Sequence, residues 1–340
     1  MIYAPPDTSA KQNMRPLQLG RLKFDVPFFL APLSGYSDRA MRLLCRRFGS
    51  PFGMPGVMLD TTTVNPTVIR KGMNAIVDDE HPLGGQIMGT DPAVMAQAAA
   101  ILEQTGYDLI DLNFACPVPK VLRRGRGGCL LGRPEDLMAI YRAVREAVQC
   151  PITMKLRVGF DSDSESKEHF WKICESAFSE GVDAIMVHGR TVVQRYKSFP
   201  DWDVLAQLKV RYPHQTIIGS GNLFSARAVV QKLKQTGIDG ALIARGAIGN
   251  PWIFEEIRAL LAGSPLPPAP TVDEQGEVIL QHFDELLKDY PERKAVGLFR
   301  KFTVRYARRH PEKNKVQMEL MAAESDAQLR TAMKKWYHIS

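Results

Sequence analysis

The chain has 340 residues, 45% hydrophobic and 24% charged, with a net charge of +7. That composition excludes a disordered polyampholyte and a small disulfide-stapled module, and the length suits one large domain with an appendage. No run of about 18 apolar residues is long enough to span a bilayer, and residues 1–16 lack the apolar core of a signal peptide. Cysteines 45, 116, 129, 150 and 174 form no CxxC pair, which argues against a disulfide framework or zinc ribbon and for a reducing cytoplasm.

Residues 1–20 are polar and proline-containing and read as a loosely held arm. From residue 28 to about 261 a unit repeats: a short apolar run, a polar or glycine-rich turn, then an amphipathic stretch. Strand runs fall at 28–33, 57–61, 84–88, 109–113, 152–156, 184–188, 216–220 and 241–244. Helical stretches are clearest at 38–48, 92–104, 134–148, 165–179, 225–235 and 251–261. Pro92, Pro134 and Pro251 stand where a first helical turn accepts proline. Residues 65–79 show no clear helical period and make the second unit the weakest. Eight strand–helix units over about 230 residues match an α/β fold of the (β/α)8 TIM-barrel type. A doubly wound open sheet is the alternative, but its G-x-G-x-x-G turn is absent after the first strand, where Ala31-Pro32-Leu33-Ser34-Gly35 stands.

A proline-rich stretch at 263–271 follows and reads as a stiff spacer. Beyond it, residues 272–340 have helical spacing and no strand signal. Ile279, Phe283, Leu286 and Leu287, then Leu298, Phe302, Tyr306, Met318, Met321 and Leu329, mark the apolar stripes of an all-α bundle. Charge concentrates there. Arg293 to Lys315 holds nine Lys or Arg against one acid, Glu312, so the rest of the chain is near neutral; Arg300, Arg305, Arg308 and Arg309 lie at helical spacings there, with Arg305 and Arg309 on one helix face. Such asymmetry points to a polyanionic partner or to a solvated helix face. A second basic cluster, Lys120, Arg123, Arg124 and Arg126, lies on a glycine-rich loop that reads as a flexible lid.

A barrel places its chemistry at the C-terminal strand ends. Gln86, Asn113, Lys155, Arg157, His188 and Arg190 fall there, and so do the turns Ser220-Gly221-Asn222 and Ala244-Arg245-Gly246. Polar groups inside apolar strands are expensive unless satisfied, and so many at equivalent ends describe a polar pocket. The last two turns have the character of a phosphate site. Cys116 lies just past the fourth strand and has three readings: nucleophile, metal ligand or acid. No H-x-H or H-E-x-x-H spacing offers metal companions, a nucleophile usually needs a neighbouring base, and an intact thiol can donate a proton near neutral pH.

Five motifs carry a resemblance: 31–39 (APLSGYSDR), 86–89 (QIMG), 111–121 (DLNFACPVPKV), 155–159 (KLRVG) and 188–191 (HGRT). They resemble the tRNA-dihydrouridine synthases, flavoenzymes that reduce selected uridines of tRNA, and Gly249-Asn250-Pro251-Trp252-Ile253-Phe254 is similar to the bacterial B-type branch. The resemblance implies an FMN-binding barrel at 1–262 and, past the linker, a tRNA-binding helical domain at 272–340. By it, Pro32, Leu33 and Ser34 line the flavin ring; Gln86, Asn113, Lys155 and His188 bind the ring or ribityl chain; Ser220, Gly221, Asn222, Ala244 and Arg245 hold the phosphate; and Cys116 is the proton donor. NADPH or NADH is the implied reductant. Lys120, Arg123, Arg124, Arg126, Arg190, Arg300, Arg305, Arg308 and Arg309 are the expected tRNA contacts of a monomeric, cytoplasmic, metal-free enzyme. The sequence departs from the family pattern at Leu33, usually Met; at Ser220 and Asn222, where Asn-Gly-Asp or Asn-Gly-Glu is usual; at Ala244, usually Gly; and at Asp60, a shorter acid than usual. A flavin barrel acting on a free pyrimidine or enone, and a tRNA-binding protein without catalysis, are the competing readings.

Overall fold

The structure is a computed structural model that describes residues 16–70, 76 and 80–339. The chain begins with an antiparallel hairpin, β1 (Leu17–Leu19) and β2 (Leu22–Phe24), turning at Gly20 with φ +55°. This corrects the reading of residues 1–20 as a loose arm from Leu17 onward; residues 1–15 lie outside the described residues. Leu17 and Leu19 are buried among Phe29, Leu109, Ala184, Met186 and Ile218.

All eight expected strands are present: β3 (Phe28–Leu30), β4 (Met58–Leu59), β5 (Gly84–Met88), β6 (Leu109–Asn113), β7 (Ile152–Arg157), β8 (Ala184–His188), β9 (Ile217–Ser220) and β10 (Gly240–Ile243). Every ladder between them is parallel, and the first strand pairs with the last, Phe28 opposite Ala241 and Leu30 opposite Ile243. The sheet therefore curls into a TIM barrel. Its seam between β3 and β4 carries no ladder among the described residues; there the Leu30 N–H donates to Ser50 Oγ (3.0 Å), which donates to the Phe52 carbonyl (2.9 Å).

Side chains alternate along a strand, so residues two apart share a face. Leu109, Asp111 and Asn113 point into the barrel, as do Thr153, Lys155 and Arg157, and Ala184, Met186 and His188. The interior is apolar at the hairpin end and polar at the other. The outward set, Ile110, Leu112, Met154, Leu156, Ile185 and Val187, is buried under the helices.

Those helices are α1 (Arg39–Arg47), the short α2 (Asp60–Thr63) and α3 (Pro66–Arg70), α4 (Pro92–Gln104), α5 (Pro119–Leu122), α6 (Pro134–Ala147), α7 (Ser164–Ser179), α8 (Asp203–Arg211), α9 (Ala226–Thr236) and α10 (Ile253–Leu261). Their starts follow from capping. Asp38 accepts from the Met41 N–H, Asp91 from Ala93 and Val94, and Ser225 from Ala228, and Pro92 and Pro134 occupy first turns. Pro251 falls short of α10 by two residues, and α8 had no clear sequence signal. Of the weak second unit, α3 is present; residues 71–75 and 77–79 lie outside the described residues.

Residues 262–271 have no regular structure. Then α11 (Val272–Asp289), opened by a Thr271–Glu274 capping box, α12 (Glu292–Tyr306), α13 (Lys313–Ala322) and α14 (Asp326–Tyr337) bury Ile279, Phe283, Phe299, Phe302, Leu329 and Met333 together. Buried His282 bonds the Tyr306 hydroxyl through Nδ1 (2.8 Å) inside this core. The stripe read through Met318 and Met321 is corrected: α13 turns Val316 and Leu320 inward and leaves both methionines exposed. The bundle packs on the barrel. Arg39 reaches Glu285 (3.3 Å), and the Tyr36 ring meets Phe302 edge-on at 5.4 Å. Gly249, at φ +61°, lies so close to α12 that a Cβ there would come within 2.6 Å of the Arg305 Cβ, so a larger residue would push α12 off the barrel mouth.

Candidate active site

A cavity of about 440 Å³ opens at the C-terminal ends of the barrel strands. Pro32 to Ser34, Gln86, Asn113, Lys155, His188, Ser220 to Asn222, Ala244 and Arg245 all line it, together with Cys116. Asn113, Lys155 and His188 are the positions in β6, β7 and β8 that escape complete burial, and their exposure is to this cavity.

A chain of hydrogen bonds holds the cysteine loop. Asp111, fully buried, accepts from Thr153 Oγ1 (2.7 Å) and from Gln86 Nε2 (2.6 Å). That fixes which way the Gln86 amide points, so its Oε1 accepts from Asn113 Nδ2 (2.8 Å). Asn113 Oδ1 is thereby aimed at the backbone N–H groups of Ala115 and Cys116 (3.1 Å each). Burial raises the Asp111 carboxyl to about 6, with the Gln86 and Thr153 bonds opposing, so it stays an acceptor at neutral pH. Asp111→Asn is expected to let both amides turn over and release the loop, speeding alkylation of Cys116 as the thiol loses burial and slowing turnover by roughly ten-fold or more, the worth of a charged hydrogen bond. Peptide mass mapping of Cys116 alkylation checks this; wild-type rates in both assays would assign the orientation of Gln86 to another group.

From β7 round to the turn after β10 the cavity wall is cationic. Lys155 Nζ donates to Ser220 Oγ (3.1 Å), which lies 3.3 Å from His188 Nδ1. Burial, with Arg157 beside it, lowers the Lys155 amine to about 7 despite Asp111 below. Burial and the surrounding cations hold His188 neutral, at about 2. Asn222, at φ +52°, accepts from Arg190 Nη2 (3.0 Å) and Arg245 Nη2 (3.4 Å). Gly221, at φ +132°, packs against Pro200, where a Cβ would come within 2.8 Å. The departures Ser220, Asn222 and Ala244 all line the cavity, with the Asn222 side chain accepting from two guanidinium groups.

The expected tRNA contacts divide. Arg305 lines the cavity mouth. Lys120, Arg123, Arg124 and Arg308 are exposed. Arg126 pairs with buried Asp60 (3.3 Å), and Arg190 is buried beneath the cavity wall. Two expectations are corrected. The glycine-rich loop is pinned rather than free: the Gly128 N–H donates to the Cys116 carbonyl (3.1 Å), and Arg133 holds the Gly125 carbonyl (3.1 Å). α12 also ends at Tyr306, so Arg305 and Arg309 do not share one helix face. Arg309 instead lies over Trp252 at 5.2 Å and bonds Asn250 and Glu256, and the Arg300 Nε is buried without a hydrogen-bond partner among the described residues. Asp111, Tyr196 and Phe224 were missed. Asp111 was legible as a polar residue two before Asn113 on the same strand face.

Burial raises the Cys116 thiol above its ordinary value, against the Val118 N–H and Arg157, so it holds its proton at neutral pH. A protonated thiol in a cavity with cationic lining can protonate a carbon while those cations stabilise developing negative charge. No cluster of metal-ligating side chains is found among the described residues.

Among known proteins, tRNA-dihydrouridine synthase B of Xanthomonas campestris pv. campestris is 33% identical over 317 residues, 92% of this chain and 93% of the relative. The Pseudomonas aeruginosa protein of that name is 36% identical over 294 residues, covering 85% and 86%. A solved 2-naphthoyl-CoA reductase shares the fold with a TM-score of 0.59 at 13% identity, over 75% of this chain and 53% of that one. The family profile described as dihydrouridine synthase (Dus) matches residues 29–337, nearly the whole barrel and bundle, and the chain belongs to that family.

Proposed function

We propose that this protein is an FMN-dependent tRNA-dihydrouridine synthase that uses NADPH to reduce the C5–C6 bond of uridine in tRNA, with Cys116 as proton donor. The observation that carries the reading is a half-buried, protonated thiol in one cavity with Lys155, Arg157 and Arg245. The lining fits FMN: it holds Lys155, Arg157, Arg245 and Arg305 and, among the described residues, no carboxylate, as a phosphate requires. Lys155 and His188, with Gln86 and Asn113, would hold the ring and ribityl chain, and the turns at 220–222 and 244–245 the phosphate. When bound, the flavin supplies hydride to C6 of the uracil.

The protein's own groups do the rest. Cys116 Sγ holds the proton destined for C5, and Asn113 keeps its loop in place. Lys155 and the arginines balance the negative charge that accumulates as the ring is reduced. A uracil in folded tRNA must leave its stack to enter so deep a site. Arg305, delivered to the mouth by the helical bundle, favours this reading over a reductase of free pyrimidines, which has no use for a basic appendage. We assign residues 1–262 to catalysis and 272–340 to gripping tRNA, in a cytoplasmic monomer; no helix among the described residues is long and apolar enough to cross a membrane.

The purified protein should be yellow, and its photoreduced flavin should be reoxidised quickly by unmodified tRNA and slowly by free uridine. Fast reoxidation by uridine alone would favour the small-molecule reductase. Lys155 offers a separate check. Its amine stands at about 7 in the free cavity, and a ring or ribityl oxygen accepting a hydrogen bond from it would raise that value. Binding then takes up a proton, so FMN affinity should fall as pH rises above about 7. Lys155→Met should bind FMN more weakly, roughly ten-fold or more, and without that pH dependence. Titration of apoprotein with FMN reads both; equal affinity at every pH would give Lys155 a purely structural role.

A further inference from the structure

Residues 189–202 join β8 to α8 as an irregular loop, yet two buried cations fix its backbone. Arg157, 3% exposed, donates to the carbonyls of Thr191 (2.9 Å) and Arg195 (3.0 Å). Arg190, 1% exposed, donates through Nε to the Ser198 carbonyl (2.7 Å). Burying a guanidinium is expensive unless its donors are used, and here they are used to immobilise this loop.

What the loop presents outward is aromatic. Tyr196 is 57% exposed and Phe199 is 88% exposed, while Phe224, after β9, is 46% exposed. The Arg245 guanidinium lies 5.0 Å from the Tyr196 ring centre and 5.0 Å from that of Phe224, so it joins the two rings across the cavity rim. Pro200, next to Phe199, packs on Gly221 of the cavity wall. Residues 189–200 expose Arg195 and Lys197 to solvent and hold no acid. Rigid, solvent-facing rings interleaved with cations are the chemistry that holds unpaired nucleobases: each ring face stacks a base while the cations meet its phosphates. The exposed cations, with no acid among them, favour a polyanionic partner over a protein face.

We propose that Tyr196, Phe199 and Phe224 form a stacking platform for an unpaired base next to the nucleotide that enters the cavity. This rests on the tRNA reading above and adds to it a contact that carries no charge, distinct from the basic face of the bundle.

The test uses the intact protein and an unmodified tRNA transcript, with affinity followed by fluorescence anisotropy across potassium chloride concentrations. Phe199 is almost wholly exposed, so its replacement spares the core. Phe199→Ala should raise the tRNA dissociation constant roughly 5- to 100-fold, the worth of one base stack, at an unchanged salt slope. Phe199→Trp should keep the affinity, and Phe199→Leu, apolar but without a ring face, should not. Unchanged affinity in Phe199→Ala overturns the proposal. So does a loss that appears in the KM for NADPH in place of tRNA affinity, which would assign the platform to the dinucleotide. Reduction of the same transcript by the wild-type protein tests the functional reading by itself. If the wild-type protein reduces tRNA while Phe199→Ala binds it equally well, the platform alone falls.

Discussion

Replacing Cys116 with alanine should cost turnover about 10²- to 10⁴-fold, the usual worth of a positioned proton donor, while leaving tRNA affinity in place. The thiol is half-buried at the cavity mouth, and its loop is held through Asn113. Among the described residues, no acidic side chain lines the cavity with it. Asp111, the nearest carboxyl in the chain of bonds, lies below the cavity floor with its oxygens committed to Gln86 and Thr153. Because burial raises the thiol, the protonated form is the resting form, and turnover should fall only on the alkaline side, above the ordinary thiol range. Single-turnover reduction of tRNA as a function of pH measures both effects. Near-wild-type rates in Cys116→Ala would remove the proton-donor role.

Reversing charge at Arg305 and Arg308 together should weaken tRNA binding at least roughly ten-fold near 0.1 M salt. It should also flatten the salt dependence by roughly one to two units of slope, two phosphate contacts being lost. Arg305 stands at the cavity mouth, and burial together with the charges of Arg308 and Arg245 lowers its guanidinium, as expected where cations crowd without an acid. Arg309 is the informative contrast. It is held by Asn250, Glu256 and Trp252, so it anchors the bundle to the barrel rather than facing an anion. Affinity and slope unchanged in Arg305→Glu/Arg308→Glu would make this surface a solvated face.

The barrel was legible because its signals are local. Short apolar runs ending in polar or glycine-rich turns marked the strands, and proline at two first turns marked helices. Polar residues at strand ends marked the cavity, since a lysine in Ile152–Arg157 has nowhere to go but the interior. Other features depend on contacts distant in sequence. The tie from Arg157 to the Arg195 carbonyl spans 38 residues and leaves no local trace. The end of α12 at Tyr306 was hidden because no glycine or proline stops the helical period before Pro311. The hairpin could have been read. Leu17, Leu19, Leu22 and Phe24 alternate about Gly20, but strands of three residues give too short a pattern to separate from an irregular arm.

The central claim is tested most directly by the mass of the product. Purified protein, NADPH and an unmodified tRNA transcript are incubated, and the tRNA is digested and read by mass spectrometry. The account predicts a uridine two mass units heavier at a discrete position, formed only with NADPH and at least roughly 10²-fold more slowly by Cys116→Ala. Flavin-loaded protein that oxidises NADPH yet leaves every uridine of every tRNA offered unreduced would contradict it.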